Sequence, residues 1–457
     1  MGTIVILLIA ASCYLHGKNY QEKKWNIFML TIAVSTFINV GTAFSAYIIF
    51  TYSMELQIIY VCIDLLHGKM KRLKLNRKVF YSFLVFIGSI VVGFSMLIIG
   101  THKYLDIIPF STSIDEVFMG TSTGSKPIFG YPNISAFIIL ILFCIFVFSS
   151  REFFADAKWI YKTRRYFISI FRAYFVCVII EFIFNNFISS DLIRNIVMMI
   201  FGQSERGYAY SQQRNGFYSV NSLFSEPSYI IVTIFYYMLI LRKQQKSNQD
   251  IIWNLIGIVA LLVSGASTGF LVIPFAVLAT MWSGRKPAIR NKINTKKWIF
   301  LLIIGIATTL IIYNQRDLLL SIFDSVVQKI QAYINPDITN DYISGSIRQF
   351  GNSIIYAAFK DMPLFGYGLG TTRGYGIIPG ALGTLGIIGC GTYCIFIYRA
   401  CSLKIDFTGW IILAIFVMYA TSALSVWYLY EPAILLLCFS VTCKGNKEAV
   451  NIGGNGL

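Results

Sequence analysis

Long apolar runs dominate the chain, and short polar stretches interrupt them. The runs fall at roughly 2–16, 25–41, 45–67, 79–100, 134–150, 166–188, 229–241, 251–264, 267–282, 298–313, 377–397, 405–423 and 427–443. A bilayer core needs about 20 apolar residues per helix, with a usable range of about 17–25. The pattern therefore predicts an all-α integral membrane protein with about 13 transmembrane helices (12–14), a single polytopic membrane domain over 1–457. The first run has no basic segment before it and no small-residue cleavage pattern after it, so it reads as a span rather than a signal peptide. Two connections are tight, the one between 25–41 and 45–67 and the one at Gly265-Ala266.

Three polar segments are much longer than the rest: 101–133, 189–228 and 314–376. The last has its own periodicity. Leu318, Leu319, Ile322, Phe323, Val326, Val327, Ile330 and Ile334 recur at helical spacing, with Asp317, Asp324, Gln328 and Lys329 between them. This predicts an amphipathic interfacial helix at about 317–334, ended by Pro336. A second helix is predicted at 346–360, followed by a glycine-rich turn at 366–376.

Composition agrees with the pattern. The 457 residues are 56% hydrophobic and only 13% charged, and mean hydropathy is +0.67. Soluble domains carry about 25% charged residues, so a soluble enzyme, a disordered protein and a nucleic-acid binder are all excluded. The nine cysteines sit in apolar runs or at their basic ends, where the residue acts as a small hydrophobe. They form no disulfide framework and no zinc spacing.

The net charge of +17 changes the picture once it is sorted by segment. The short loops at 17–24, 68–78, 151–165, 242–250, 283–297 and 398–404, with the tail from Lys444, hold 27 Lys+Arg against five acids, a net of +22. The three long segments hold 10 Lys+Arg against 11 acids, a net of −1. If the thirteen spans alternate, every basic loop lands on one face and every long segment on the other. The positive-inside rule makes the basic face cytoplasmic. The N-terminus is then outside and the C-terminus cytoplasmic. Long loops in compact proteins are uncommon unless functional, so the chemistry is expected on the outer face.

Few outer residues can carry it. Glu226 precedes Pro227, a residue suited to the first turn of a helix. The positive end of that helix dipole favours an ionised carboxylate there. Two readings stand: an acidic helix cap beside a proline, or a carboxylate on the outer rim that orients or deprotonates a sugar hydroxyl. The outer arginines are Arg194, Arg206, Arg214, Arg316, Arg348 and Arg373. A planar guanidinium matches phosphate oxygens, and two or three converging would make a diphosphate site. Arg194 and Arg316 read better as headgroup anchors or solvated charges; Arg348, which opens an apolar helix, reads best as a ligand-binding group. Within the spans, Arg172 and Glu181 lie nine residues apart and share no helix face, while Glu55, Asp64 and Glu431 fall near span ends. His16, His67 and His102 have no metal-binding spacing; His102 alone is outside, a candidate base. The run Gly366-Tyr367-Gly368-Leu369-Gly370 lacks the Lys and Ser/Thr of a phosphate loop.

Phe224-Ser225-Glu226-Pro227-Ser228-Tyr229, opening a span after a long outer loop, resembles the Phe-x-Glu-Pro-Ser signature of bacterial O-antigen and capsular polysaccharide polymerases. Ser344-Gly345-Ser346-Ile347-Arg348, a helix, and Asp361-Met362-Pro363-Leu364-Phe365-Gly366-Tyr367-Gly368-Leu369-Gly370 are similar to a second element of that group. Ser264-Gly265-Ala266-Ser267-Thr268-Gly269 resembles its small-residue turn between middle helices. The resemblance implies a GT-C-like membrane glycosyltransferase in the bacterial inner membrane. It would join undecaprenyl-diphosphate-linked repeat units at the outer face, with no metal, nucleotide or other cofactor and no nucleic acid, alongside membrane lipids and a chain-length regulator as partners. Carried over, the roles place Arg348 on the diphosphate and Glu226 as the motif carboxylate. Arg206, Arg214 and Arg373 fit diphosphate binding by position alone, with Asn221 and Tyr229, at the two ends of the run that holds Glu226, as further substrate-binding candidates. The late loop lacks the His of the related ligases, which favours polymerase over ligase. The rival class is a flippase or transporter of lipid-linked saccharides, for which similar halves and midplane polar groups would be expected; the chain has no convincing halves. The charge partition makes a direct prediction: a phosphatase active only outside the cytoplasm should be active when fused after Tyr210 or Asn340 and inactive after Arg72 or Ala288.

Overall fold

The computed structural model describes residues 2–37, 41–45, 48–66, 77–100, 106–108, 114–150, 153, 157–189, 192–201, 213–214, 217–218, 220, 237, 248–264, 327, 331, 343–372 and 377–401. The described part is mostly helical. Its elements are α1 (Gly2–Leu15), α2 (Tyr20–Phe37), β1 (Gly41–Ser45), β2 (Ile48–Thr51), α3 (Tyr52–Leu66), α4 (Arg77–Ile99), α5 (Ile114–Phe118), α6 (Tyr131–Ser149), α7 (Ala157–Phe187), α8 (Leu192–Phe201), β3 (Gln213–Arg214), β4 (Phe217–Tyr218), α9 (Asn248–Val263), α10 (Ile343–Asp361) and α11 (Ile377–Cys401). The spans expected at 229–241, 267–282, 298–313, 405–423 and 427–443 lie outside the described residues, apart from Tyr237, which is helical. The same holds for the amphipathic helix at 317–334, apart from Val327 and Gln331, both helical.

Among the described residues four helices are long and apolar enough to cross a membrane: Arg77–Ile99, Tyr131–Ser149, Tyr161–Phe187 and Ile378–Ala400. At 1.5 Å per residue, 19 residues reach about 28 Å and 23 about 35 Å, which matches a hydrocarbon core of about 30 Å. One flank of α4 leaves Leu84, Val85, Val91 and Val92 exposed. Such an apolar surface calls for a partner other than water.

The run at 45–67 departs from its expectation as a single helix. Gly41–Ser45 and Ile48–Thr51 pair as an antiparallel hairpin, and α3 begins only at Tyr52. The β-branched and aromatic residues Ile48, Ile49, Phe50 and Thr51 suit a strand as well as an apolar helix. The all-helical expectation is corrected here and again at β3–β4. The 189–228 segment also contains a helix of its own, α8.

Two ends organise the packing. At one, the starts of α2 and α7 meet the ends of α3 and α6. The ammonium of Lys24 lies 3.0 Å from Asp64 Oδ2 and donates to the Ser149 carbonyl at 3.0 Å. Tyr20 donates to Asp64 Oδ1 at 2.7 Å. Trp25 Nε1 donates to Thr163 Oγ1 at 3.0 Å, and Lys162 sits 4.2 Å above the Trp25 ring. Above this polar layer Phe28, Tyr60 and Phe146 pack their rings together. The ends that meet here are those next to the basic loops 17–24, 68–78 and 151–165. The antiparallel pair α4–α11 follows suit: Arg399 donates to the Lys78 carbonyl, and Phe86 packs on Tyr393 and Phe396.

At the other end, parts of two long segments meet. Ile107 pairs with Ser125 in an isolated bridge, and α5 packs on α10 through Phe118 and Phe350. Lys24 and Asp64 are nearly sealed from solvent, at 5% and 3% exposure. Breaking such a pair strands a charge and costs about 3–5 kcal/mol, whereas removing both charges costs little. Asp64→Asn should therefore lower the thermal midpoint of the purified protein far more than the double change Lys24→Met with Asp64→Leu.

Candidate functional site

The glycine-rich turn after α10 is a buried, internally bonded plug. Helix α11 is interrupted at Gly386, whose φ of 61° and ψ of −173° break the helical ladder. The turn fills the break. Pro363 and Leu364 carbonyls accept from Ile387 N–H at 2.9 Å and Ile388 N–H at 3.0 Å, and Tyr367 N–H donates to the Gly383 carbonyl at 2.9 Å. Backbone packs directly on backbone, which is why two glycines are required. A Cβ on Gly386 would come within 2.4 Å of the Leu364 carbonyl, and one on Gly366 (φ 65°) within 2.5 Å of the Thr384 backbone. Both positions also need the left-handed region that other residues avoid.

Side chains lock the turn to its neighbours. Asn133, in the first turn of α6, donates to the Leu369 carbonyl at 2.8 Å and to Thr371 Oγ1 at 2.7 Å, while its Oδ1 accepts from Gly130 N–H at 2.8 Å. Thr372 donates to the Ile108 carbonyl at 3.1 Å. Tyr367 donates to Asp361 Oδ2 at 2.5 Å. Burial first, then that bond and the carboxylate's charge, push the Tyr367 phenol well above its ordinary range, so it stays a donor at neutral pH.

This anchorage sets the attitude of α10. Ile355 is fully buried, and a Cβ on Gly383 of α11 would sit 2.8 Å from it; Ile347 is buried with Ile108. Ser353, Tyr356 and Lys360 face outward. Arg348, Asn352 and Ile355 are spaced i, i+4, i+7, so the Arg348 position belongs to the buried face. Asn352 Oδ1 and Gln349 Oε1, beside it, are buried and accept no hydrogen bond.

The second cluster lies at the C-terminal end of α7. Arg214 pairs with Phe217 in the β3–β4 hairpin. Asn186 holds that hairpin by both ends of its carboxamide: Oδ1 accepts from Tyr218 N–H at 2.7 Å, and Nδ2 donates to the Tyr218 carbonyl at 3.2 Å. Val220 N–H donates to the Ser264 carbonyl at 3.4 Å, linking the residue before Asn221 to the start of the small-residue turn. Arg206, Asn221, Glu226, Tyr229 and Arg373 lie outside the described residues. Arg214 and Arg348 are placed by their backbones, each on its own anchored element. Among the described residues, no three His, Cys, Asp or Glu side chains gather as a metal site.

No protein-family model matches the chain, and no curated protein matches it either. The residues that do the positioning, Asn133, Asn186 and Tyr367, were not singled out by sequence. Asn133 had a faint signal, a polar residue straight after Tyr131-Pro132 at a helix start; so did Asn185-Asn186, two carboxamides closing an apolar run. Losing buried hydrogen bonds costs about 1–3 kcal/mol when a partner is left unsatisfied. Asn133→Ala should destabilise the protein by that order. The stability that the Tyr367 bond confers should hold through neutral pH and decline only above about pH 10, where the phenol of the unfolded chain ionises while the folded one stays protonated. Tyr367→Phe should thus lower the thermal midpoint at pH 7 and flatten its alkaline decline.

Proposed function

We propose that the chain is an inner-membrane glycosyltransferase of GT-C type, with about 13 spans, that polymerises undecaprenyl-diphosphate-linked repeat units into O-antigen or capsular polysaccharide. The observation that carries this reading is the α10 unit. The Ser344-to-Arg348 element opens the helix, the glycine-rich turn closes it, and the Arg348 position falls on the helix face turned into the protein. A solvated loop charge would sit on the opposite face, with Lys360. Further support comes from the near-neutral balance of the long segments, where a few arginines act by position.

In the proposed reaction a hydroxyl at the non-reducing end of the incoming unit attacks the anomeric carbon of the growing chain. The new carbon–oxygen bond forms as the bond to the lipid diphosphate breaks, and the hydroxyl proton passes to a base. Glu226 orients or deprotonates that hydroxyl. Arg348 stabilises the charge developing on the diphosphate, which is the largest electrostatic demand of the step. Arg206, Arg214 and Arg373 are further diphosphate contacts, and Asn221 and Tyr229 contact the saccharide. The leaving diphosphate carries its own driving force, so the scheme has no role for a nucleotide.

One observation favours the rival reading, a flippase of lipid-linked saccharides. α11 is discontinuous at Gly386, and broken helices are a common device of transporters. The two readings part experimentally. Arg348→Ala or Glu226→Ala should leave the protein in the membrane yet reduce long-chain polymer by at least about 100-fold, an oxyanion-scale loss, with surface lipid bearing single repeat units. Normal chain lengths in both variants would reject these assignments. Purified protein given lipid-linked repeat units alone should form polymer; movement of lipid across vesicles without polymer would select the flippase.

A further inference from the structure

The buried stripe of α7 changes chemistry at its outer end. Phe171, Tyr174, Phe175 and Val178 are buried along one face, and the next two positions of that face, Glu181 and Asn185, are equally buried at 6% exposure each. They stand one helical turn apart, about 6 Å along the axis. Asn185 Oδ1 is shut off from solvent and accepts no hydrogen bond from the described residues. An apolar pair would pack there without that penalty, since an unmet buried acceptor is costly. An ionisable group inside an apolar helix is itself a mark of function.

The surroundings place this pair near the β3–β4 hairpin. α7 and α9 run side by side in the same direction: the Arg172 guanidinium lies 5.4 Å from the Trp253 ring, and a Cβ on Gly257 would touch the Phe175 ring. Continuing along both helices brings the last residue of that stretch, Ser264, to Val220, and Asn186 to Tyr218. Asn185 is therefore the immediate neighbour of the residue that clamps the hairpin. In sequence, Asn221 and Glu226 follow the hairpin.

We propose that Glu181 and Asn185 form a hydroxyl-binding subsite for the saccharide of the lipid-linked substrate, at the C-terminal end of α7 beside the β3–β4 hairpin. The proposal rests on the saccharide-lipid reading of the previous section. A carboxylate and a carboxamide oxygen one turn apart offer acceptors for two neighbouring sugar hydroxyls. Neither offers anything to a diphosphate, which is itself an acceptor. The pair is thus assigned to the sugar and to specificity, and the arginines to the leaving group.

The test uses the full chain in nanodiscs with two probes. One is the undecaprenyl-diphosphate-linked saccharide fraction extracted from cells that carry the chain. The other is undecaprenyl diphosphate without sugar. Wild type should bind the sugar-bearing lipid more tightly than the bare one. Asn185→Ala and the isosteric Glu181→Gln should each lose about tenfold of that sugar-dependent increment, in line with an acceptor lost from a polar recognition site. Their affinity for the bare lipid should stay at the wild-type value. Glu181→Gln keeps shape and volume, so it reports even if Asn185→Ala does not fold. Retention of the full increment in folded variants would overturn the subsite while leaving the saccharide-lipid reading intact. Loss of affinity for both lipids alike would mean a merely structural pair and would overturn it too. Wild type that binds neither lipid would overturn the underlying reading, and the subsite with it.

Discussion

A helix broken inside an apolar environment must have its freed backbone groups paired, because there is no water to pair them. The interruption of α11 at Gly386 imposes that demand, and much of the described structure follows from how it is met. Carbonyls of Pro363 and Leu364 take the amides released after the break. Their approach is so close that only glycine fits at 366 and 386. The turn must in turn be held, and Asn133, Thr372 and Tyr367 hold it. Once the turn is pinned, α10 has little freedom to roll about its own axis, and the position of Arg348 on the inward face is settled with it.

The opposite end of the bundle obeys a different rule. There the starts and ends of four helices converge, and the buried Lys24–Asp64 pair is satisfied by Tyr20 and the Ser149 carbonyl. Such a pair adds little net stability, but it penalises any packing that separates its partners. The rings of Tyr60 and Phe153 lie against the Lys24 ammonium, and Lys162 sits over the nearby Trp25 and Trp159 rings, the aromatic and basic mixture found where apolar helices meet a polar layer. The surplus of basic residues at this level matches the +22 balance of the short loops, and the long segments converge away from it. The basic surplus of the chain thus lies at one end of the described helices, and the described parts of the long segments lie at the other.

Much of the helical frame was legible beforehand. The run at 79–100 is α4 at Arg77–Ile99, 134–150 is α6 at Tyr131–Ser149, and the helix expected at 346–360 is α10 at Ile343–Asp361. Apolar length and 3.6-residue periodicity are local properties, so the chain declares them residue by residue. The hairpin at 41–51 was not legible, because a short run rich in β-branched and aromatic residues serves either a strand or a helix until a partner strand is known. Of the candidate site, Arg348 and the glycine-rich turn could be marked as special. The work of Asn133 and Asn186 could not, since they act on backbone carbonyls 236 and 32 positions away.

The sequence by itself determined which segments are apolar enough to be helices and where the basic residues gather. Only the tertiary structure decided that α11 is broken and plugged, that α10 turns its Arg348 position inward, and that the aromatic stripe of α7 ends in a buried carboxylate and carboxamide. The division has one physical cause. Hydrophobicity and charge belong to each residue wherever it lies, whereas the pairing of a buried polar group is a relation between segments that meet only on folding.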